Sequence, residues 1–243
     1  MNPLIAKLEQ FARLSDGDRR LLEDAARDVR RLDARRDIIR EGERPDEVHL
    51  LLEGWAARYK VLPGGGRAIM AYLIPGDLCD VHIALLDRMD HSIGTLSPAR
   101  VAYIPRRKVE ALMGGGGDLG RALLWSTLVD EAILREWLVN MGRRPADRRV
   151  AHLVCEMMLR SRAVGLTDDD SFDLPLTQEE LADTMGVTPV HMNRTLQLLR
   201  QDGLITTRGR RVTVNDAGRL MELAGFDPNY LHQQGARARP ARA

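Results

Sequence analysis

The sequence has few cysteines, few aromatic residues and no long apolar run, and each shortage argues against a class of protein. Two cysteines, Cys79 and Cys155, argue against a disulfide framework and against an iron–sulfur cluster, which needs about four thiolates. Aromatic residues make up 4%, which disfavours stacking on single-stranded nucleic acid. No apolar run is long enough to span a bilayer and no signal-peptide pattern is present, so we expect a cytoplasmic protein with no membrane partner.

Residues 177–211 carry the most informative pattern in the chain. Thr177 followed by Glu180 is a capping box, which predicts the start of a helix. Gly186 permits a sharp turn, because glycine adopts positive φ without a Cβ clash. Thr188 and Pro189 then suit the cap and the first position of a second helix. The spacing therefore predicts a helix-turn-helix.

A basic hairpin follows the second helix. Residues 204–207 and 211–214 are predicted as the two strands of a hairpin around Arg208, Gly209 and Arg210. Residues 186–214 contain five arginines and one aspartate, although the whole chain has a formal net charge of only +1. A helix fits the major groove of DNA and arginines neutralise phosphates, so the pattern predicts a winged DNA-binding motif.

The region from residue 30 to residue 104 has a different pattern. Short apolar runs, such as 48–52 and 101–104, alternate with glycine-containing turns. Several short strands joined by such turns are typical of a β-barrel or sandwich.

Taken together, these motifs resemble the Crp/Fnr family of bacterial transcription regulators over most of residues 10–225. Residues 177–205 resemble the family's DNA-binding motif, and 144–153 resemble the start of its DNA-binding domain. The turns "REGE", "LLEG" and "IPGD" resemble the β-roll of cyclic-nucleotide-binding-type sensors. The resemblance implies an α+β fold with a β-roll sensor domain (1–113), a long dimerisation helix and hinge (114–143) and a winged helix-turn-helix (144–230). The tail (231–243) is rich in arginine and lacks apolar periodicity, so we expect it to be disordered.

The function implied by the resemblance is regulatory and not enzymatic. It is that of a homodimer that binds a palindromic operator in double-stranded DNA, responds to a signal sensed in the roll and contacts RNA polymerase. Arg194 matches a family position that contacts bases, whereas the other two common reading positions fall on Pro189 and Val190. We expect base contacts from Val190, His191, Asn193, Arg194 and Gln197, and phosphate contacts from Thr177, Thr188, Arg208, Arg210 and Arg211.

The expected effector pocket departs from the pattern of nucleotide-binding members. Asp80 replaces a glutamate that binds ribose, and His91 stands where an arginine binds phosphate, so the sequence disfavours cyclic AMP. Haem stays open because His82, His91 and Cys79 cluster in the expected pocket, although a histidine in such a place is more often an ordinary surface or hydrogen-bonded residue of the roll. The candidate pocket comprises Gly76, Asp77, Leu78, Cys79, Asp80, His82, Arg88, His91 and Ser92.

A long helix is predicted from about residue 118 to residue 141. Its apolar positions cover more than one narrow stripe, so we expect one face to cover the roll and another to pack on a second copy of the chain. The expected dimer face contains Ala122, Ser126, Val129, Ile133 and Glu136.

Two other classes of function stay open. A β-roll with His82 and His91 is also compatible with a small cupin-like metal-dependent enzyme, although the histidine spacing matches no known metal motif. A winged helix can also serve as a protein-docking module.

Overall fold

The N-terminal part of the chain forms a β-roll preceded by two short helices. The computed structural model describes residues 2–167 and 169–233. Helix α1 spans Pro3–Leu8, and α2 spans Asp16–Ala25 with Ser15 as its N-cap. The strands are β1 (Val29–Leu32), β2 (Asp37–Ile39), β3 (Glu47–Glu53), β4 (Ala56–Val61), β5 (Arg67–Leu73), β6 (Ser92–Thr95) and β7 (Ala99–Pro105).

These strands form two sheets, with orders β1-β7-β3 and β2-β6-β4-β5. In the first sheet both pairs are antiparallel, and Val48 lies opposite Ile104. Apolar side chains such as Leu50, Ile93 and Val101 are fully buried in one core that also receives residues of α1 and α2. The predicted β-roll is therefore confirmed.

A long helix follows the roll. After α3 (Arg106–Gly114), helix α4 (Gly117–Arg143) runs for 27 residues, close to its predicted bounds. The expected dimer face needs correction: Ala122, Ser126, Val129 and Ile133 are buried within the chain itself and Glu136 is half-buried. The small and apolar side chains of that face pack inside the fold. The apolar side chains that remain most exposed on α4 are Leu124, Leu128, Leu134 and Leu138.

The C-terminal part contains a winged helix-turn-helix. Its helices are α5 (Ala146–Ala163), α6 (Gln178–Met185), α7 (Pro189–Gln201) and α8 (Ala217–Ala224). Strands β8 (Ser171–Asp173), β9 (Ile205–Arg208) and β10 (Arg211–Val214) form an antiparallel sheet of order β8-β10-β9. Strand β8 and helix α8 were not predicted.

The described chain divides into two compact units. One takes in residues up to Lys60 together with Ala71–Glu131, and the other takes in Val61–Met70 and Ala132–Leu231. The predicted tail begins too early, because Leu231 is buried at the end of a 3-10 helix (Pro228–Leu231). The rest of that tail, from residue 234, lies outside the described residues. Within 2–167 and 169–233, no helix is long and apolar enough to cross a membrane.

Candidate functional site

The helix-turn-helix is fixed at three points by its own backbone and side chains. The Thr177 hydroxyl accepts a hydrogen bond from the Glu180 amide (3.1 Å), and the Glu180 carboxylate accepts one from the Thr177 amide (2.8 Å). Gly186 ends α6 with φ of 62°, in the left-handed region that favours glycine. The Thr188 hydroxyl then accepts from the His191 amide (3.2 Å) and caps α7. These contacts set the angle at which α7 leaves the turn.

Helix α7 separates an apolar inner face from a polar outer face. Met192, Thr195 and Leu199 are buried against the rest of the unit. On the outer face, Val190 is 81% exposed, and His191, Arg194 and Gln197 are exposed as well. Arg194, His191 and Gln197 form no ion pair or side-chain hydrogen bond with the described part of the chain, so their polar groups are available to a ligand.

Asn193 differs from the other predicted base-reading residues. Its side chain is half-buried and donates a hydrogen bond to Gln178 Oε1 (2.9 Å), which joins α7 to the first turn of α6. In this arrangement Asn193 braces the two helices against each other. A direct base contact would require that bond to open.

The hairpin β9–β10 presents arginines of two kinds. Arg208 and Arg210 are exposed at its turn. Arg211 is also exposed, but its guanidinium lies 3.9 Å from a carboxylate oxygen of both Asp169 and Asp173, so part of its charge is balanced within the unit. The predicted phosphate-contacting residues Thr177 and Thr188 use their hydroxyl oxygens as acceptors in the caps, which leaves each O–H free to donate.

A buried polar cluster that the sequence did not reveal supports this unit. The Glu156 carboxylate accepts hydrogen bonds from Trp137 Nε1 (3.1 Å) and the Tyr230 hydroxyl (2.9 Å), and pairs with Arg160 (3.2 Å). Burial raises the pKa of Glu156. The cluster joins the C-terminal part of α4, α5 and the last 3-10 helix. Helix α5 in turn packs against both helices of the helix-turn-helix, α6 and α7.

His152 belongs to a second buried group in the same unit. Its Nδ1 lies 3.0 Å from Asn140 Nδ2, and its Nε2 lies 3.3 Å from Glu136 Oε1. Burial, with the nearby Arg144 guanidinium, lowers the pKa of His152 from 6.5 to about 4. The imidazole is therefore neutral at physiological pH.

The candidate effector pocket of the roll falls into two parts, and the first part is sealed. Asp80 is fully buried and accepts hydrogen bonds from the His49 amide (2.7 Å) and, at 2.6 Å, pairs with His49 Nδ1. Asp77 is bound by Lys7 Nζ (2.8 Å) and by the Ile74 amide (2.8 Å). Both carboxylates are thus used inside the fold.

The neighbours of these two aspartates are equally enclosed. Gly76 has φ of 96°, and a Cβ there would lie 2.8 Å from the Pro3 carbonyl oxygen. Leu78 and Cys79 are buried, and burial raises the pKa of the Cys79 thiol well above its usual value. The Arg58 guanidinium donates to the carbonyl oxygens of Cys79 (2.9 Å) and Leu78 (3.2 Å).

The second part of the pocket is less deeply buried than the first. His82, on a 3-10 helix (Val81–Ala84), and His91, just before β6, are half-buried, and their ring centroids are 5.4 Å apart. Burial lowers the pKa of both histidines. Ser92 accepts a hydrogen bond from the Glu41 amide (3.0 Å), and Arg88 is exposed.

The fold and the free outer face of α7 define a class: a winged helix-turn-helix DNA-binding protein with a β-roll domain. Comparison with known proteins agrees with this. Residues 148–223 match the Crp-like helix-turn-helix domain, and residues 29–115 match the cyclic nucleotide-binding domain.

Curated relatives and solved structures place the chain more narrowly. It is 30% identical over 194 residues to the transcriptional activator protein FnrL of Cereibacter sphaeroides, covering 78% of this chain and 77% of that protein. It is 25% identical to the nitrogen fixation regulation protein FixK of Azorhizobium caulinodans, over 77% of this chain and 75% of that one. The structure of FixK2 from Bradyrhizobium japonicum has the same fold, with a TM-score of 0.72, 23% identity and coverage of 80% and 96%.

The chain belongs to the Crp/Fnr family and is a DNA-binding transcription regulator, not an enzyme. The cupin-like enzyme and the protein-docking module are therefore set aside. The alternatives failed because a β-roll and a winged helix, each taken alone, occur in proteins of many functions.

Proposed function

We propose that the protein is a homodimeric regulator that binds a palindromic DNA operator through α7 and responds to a signal received in the β-roll. The observation that carries the proposal is the outer face of α7, where Arg194, His191 and Gln197 are exposed and unpaired within the described chain. A guanidinium binds guanine in a bidentate manner, so Arg194 supplies a specific contact. The exposed Val190 supplies an apolar surface suited to a thymine methyl group.

Dimerisation is supported by α4. Leu124, Leu128, Leu134 and Leu138 are each about half exposed or more, and an exposed apolar side of a long helix is stabilised by packing against another helix. A second copy of α4 is the partner that would place two α7 helices on one operator. Such a dimer reads two half-sites about one helical turn apart, which is how a short helix gains specificity.

The signal we propose is not cyclic AMP. Asp80, which stands at the ribose-binding position, is fully engaged by His49, and the nearby Arg58 is bound to two carbonyl oxygens and to Asp130 (3.3 Å). An iron–sulfur cluster is also disfavoured, because Cys79 and Cys155 belong to different units and both are buried. RNA polymerase is the expected protein partner of the DNA-bound dimer, and haem stays open.

The test of DNA binding compares two arginines. Selection from a random pool of duplexes should yield a palindromic site, and Arg194→Ala should cost about 1–3 kcal/mol on that site while relaxing preference at one base pair per half-site. Arg210→Ala is the matched control, because it should weaken binding to all sequences alike and reduce the salt dependence. Fluorescence anisotropy at several salt concentrations measures both. The proposal fails if the wild-type protein shows no salt-sensitive affinity for any duplex.

A further inference from the structure

We propose that His82 and His91 form a binding site for one divalent transition-metal ion in the β-roll, with Asp90 holding His91 in position. The metal ion would be the signal that the proposed regulator senses, and this regulatory role rests on the proposed function. The three residues each offer a ligand atom, and these atoms lie within 4.8 Å of one another. The inference concerns this half-open group and not the sealed part of the pocket around Asp80.

The two imidazoles are presented in a way that suits a shared ligand. His82 is on the 3-10 helix Val81–Ala84, and His91 precedes β6, so both are held by ordered backbone. In each ring Nε2 is buried and has no hydrogen-bond partner within the described part of the chain. Buried nitrogens are nearly always paired, so two such atoms on rings whose centroids are 5.4 Å apart indicate a bound species that satisfies both.

Asp90 explains which nitrogen of His91 is available. His91 Nδ1 lies 2.5 Å from Asp90 Oδ1, and a carboxylate accepts a hydrogen bond from an N–H. With the proton on Nδ1, Nε2 carries the lone pair that a metal needs. A carboxylate bonded to the far nitrogen of a metal-binding histidine is a common outer partner, and it makes the ring both better oriented and more basic.

The surrounding charges favour a cation. Asp90 is 80% exposed beside the rings. Asp87, on the same loop between the two histidines, is also exposed but pairs with Arg44 (3.3 Å) and contributes less. Arg58 is the opposing charge near the rings, but it pairs with Asp130. Imidazole nitrogen is a ligand of intermediate softness, which selects Zn²⁺, Ni²⁺, Co²⁺ or Cu²⁺ over Mg²⁺ and Ca²⁺. Water or a small anion would complete the coordination.

Binding is tested on the full-length protein with Zn²⁺ and Co²⁺ as probes. Isothermal titration of Zn²⁺ should give one ion per chain, and Co²⁺ should produce visible absorption bands. His82→Gln and His91→Gln should each weaken Zn²⁺ binding at least tenfold, and Asp90→Asn should weaken it about tenfold, the lower limit for outer partners. His232→Gln is the control, because that histidine is exposed and distant in sequence.

A second measurement does not depend on how the variants fold. In the wild-type protein, paramagnetic Co²⁺ should shift or broaden the NMR signals of the His82 and His91 rings more than those of His191. Absence of one-to-one binding, or Zn²⁺ affinity that is unchanged in His82→Gln and His91→Gln, overturns the site. A Soret absorption band from iron porphyrin in the purified protein also overturns it, in favour of haem.

Measurements of DNA binding distinguish the regulatory role of the metal ion from the existence of the metal site. Anisotropy on the selected operator, with and without saturating Zn²⁺, should show at least a fivefold change in affinity that is absent in His82→Gln. If Zn²⁺ binds as expected but DNA affinity is unchanged, the metal site stands and the proposed sensing role is overturned. If no duplex binds at all, the proposed DNA function fails while the titration still decides the metal site.

Discussion

Helix α7 and the segment 76–80 are both polar stretches at positions where the family resemblance implies ligand contacts, but they differ in what their side chains bind. In α7, Met192 and Leu199 are buried, and Arg194 and Gln197 extend into solvent. In 76–80 the carboxylates are turned inward, Asp77 to Lys7 and Asp80 to His49. A polar motif can therefore bind a ligand only where its polar groups are not already paired with other residues of the fold.

The largest expected effect comes from removing the carboxylate of Asp80. Asp80→Ala leaves the buried His49 amide and ring without their acceptor, which should lower the free energy of unfolding by about 3–5 kcal/mol. Asp87→Ala is the control, because Asp87 is 72% exposed and its change should stay within about 0.5 kcal/mol. Urea unfolding followed by circular dichroism measures both. Equal stability of the two variants would show that Asp80 is free to serve as a ligand group.

A second prediction concerns pH and contrasts a buried histidine with an exposed one. The pKa of His152 is about 4 in the folded protein and near 6.5 when unfolded, so protonation between these values favours unfolding. Stability should therefore fall as the pH drops below about 6.5, by about 2 kcal/mol at pH 5. Urea unfolding between pH 5 and pH 7.5 measures this loss.

The matching variants separate His152 from other titrating groups. His152→Gln should flatten the pH dependence over that window, whereas His191→Gln, on the exposed face of α7, should leave it as in the wild type. If the free energy of unfolding depended on pH in His152→Gln as it does in the wild type, the imidazole would be accessible to water and not buried.

The difference between the two regions also explains what could be predicted from sequence. The caps at Thr177 and Thr188 and the turn at Gly186 are interactions over three or four residues, so the residue types alone predict them. Asp80 and His49 are 31 residues apart, and nothing local indicates that they pair. The sequence therefore predicted helix α7 and its caps, but not the side-chain pairs that enclose Asp77 and Asp80.

The prediction of the strands and of the expected dimer face was limited by the same lack of long-range information. Strand β1 has two central arginines and only two apolar residues, and its partner β7 places Val29 opposite Ala102. Strand β8 has three residues, too few for a visible alternation. On α4, apolar residues at helical spacing occur on two faces, and only the folded chain shows that Leu124 and Leu128 lie on the uncovered one.

The smallest predicted effect concerns the turn between α6 and α7. It is tested with two glycines, one with positive φ and one with helical backbone. Gly186 has φ of 62°, so Gly186→Ala should lower the free energy of unfolding by about 1 kcal/mol or more. Gly142 has ordinary helical backbone in α4 and nothing within 4 Å of an added Cβ, so Gly142→Ala should raise stability by about 0.5–1 kcal/mol. Thermal unfolding of both variants measures the two signs.

Operator affinity then shows whether the turn matters for reading DNA as well as for folding. The new Cβ at position 186 would lie 3.0 Å from Met141 Cε, the flexible end of a side chain, so the backbone angle is the main obstacle. Strain that tilts α7 should reduce affinity for the operator more than affinity for random duplex, because only base contacts depend on the exact approach of Arg194. Equal losses on both duplexes would show that the turn contributes stability alone and that α7 keeps its angle without it.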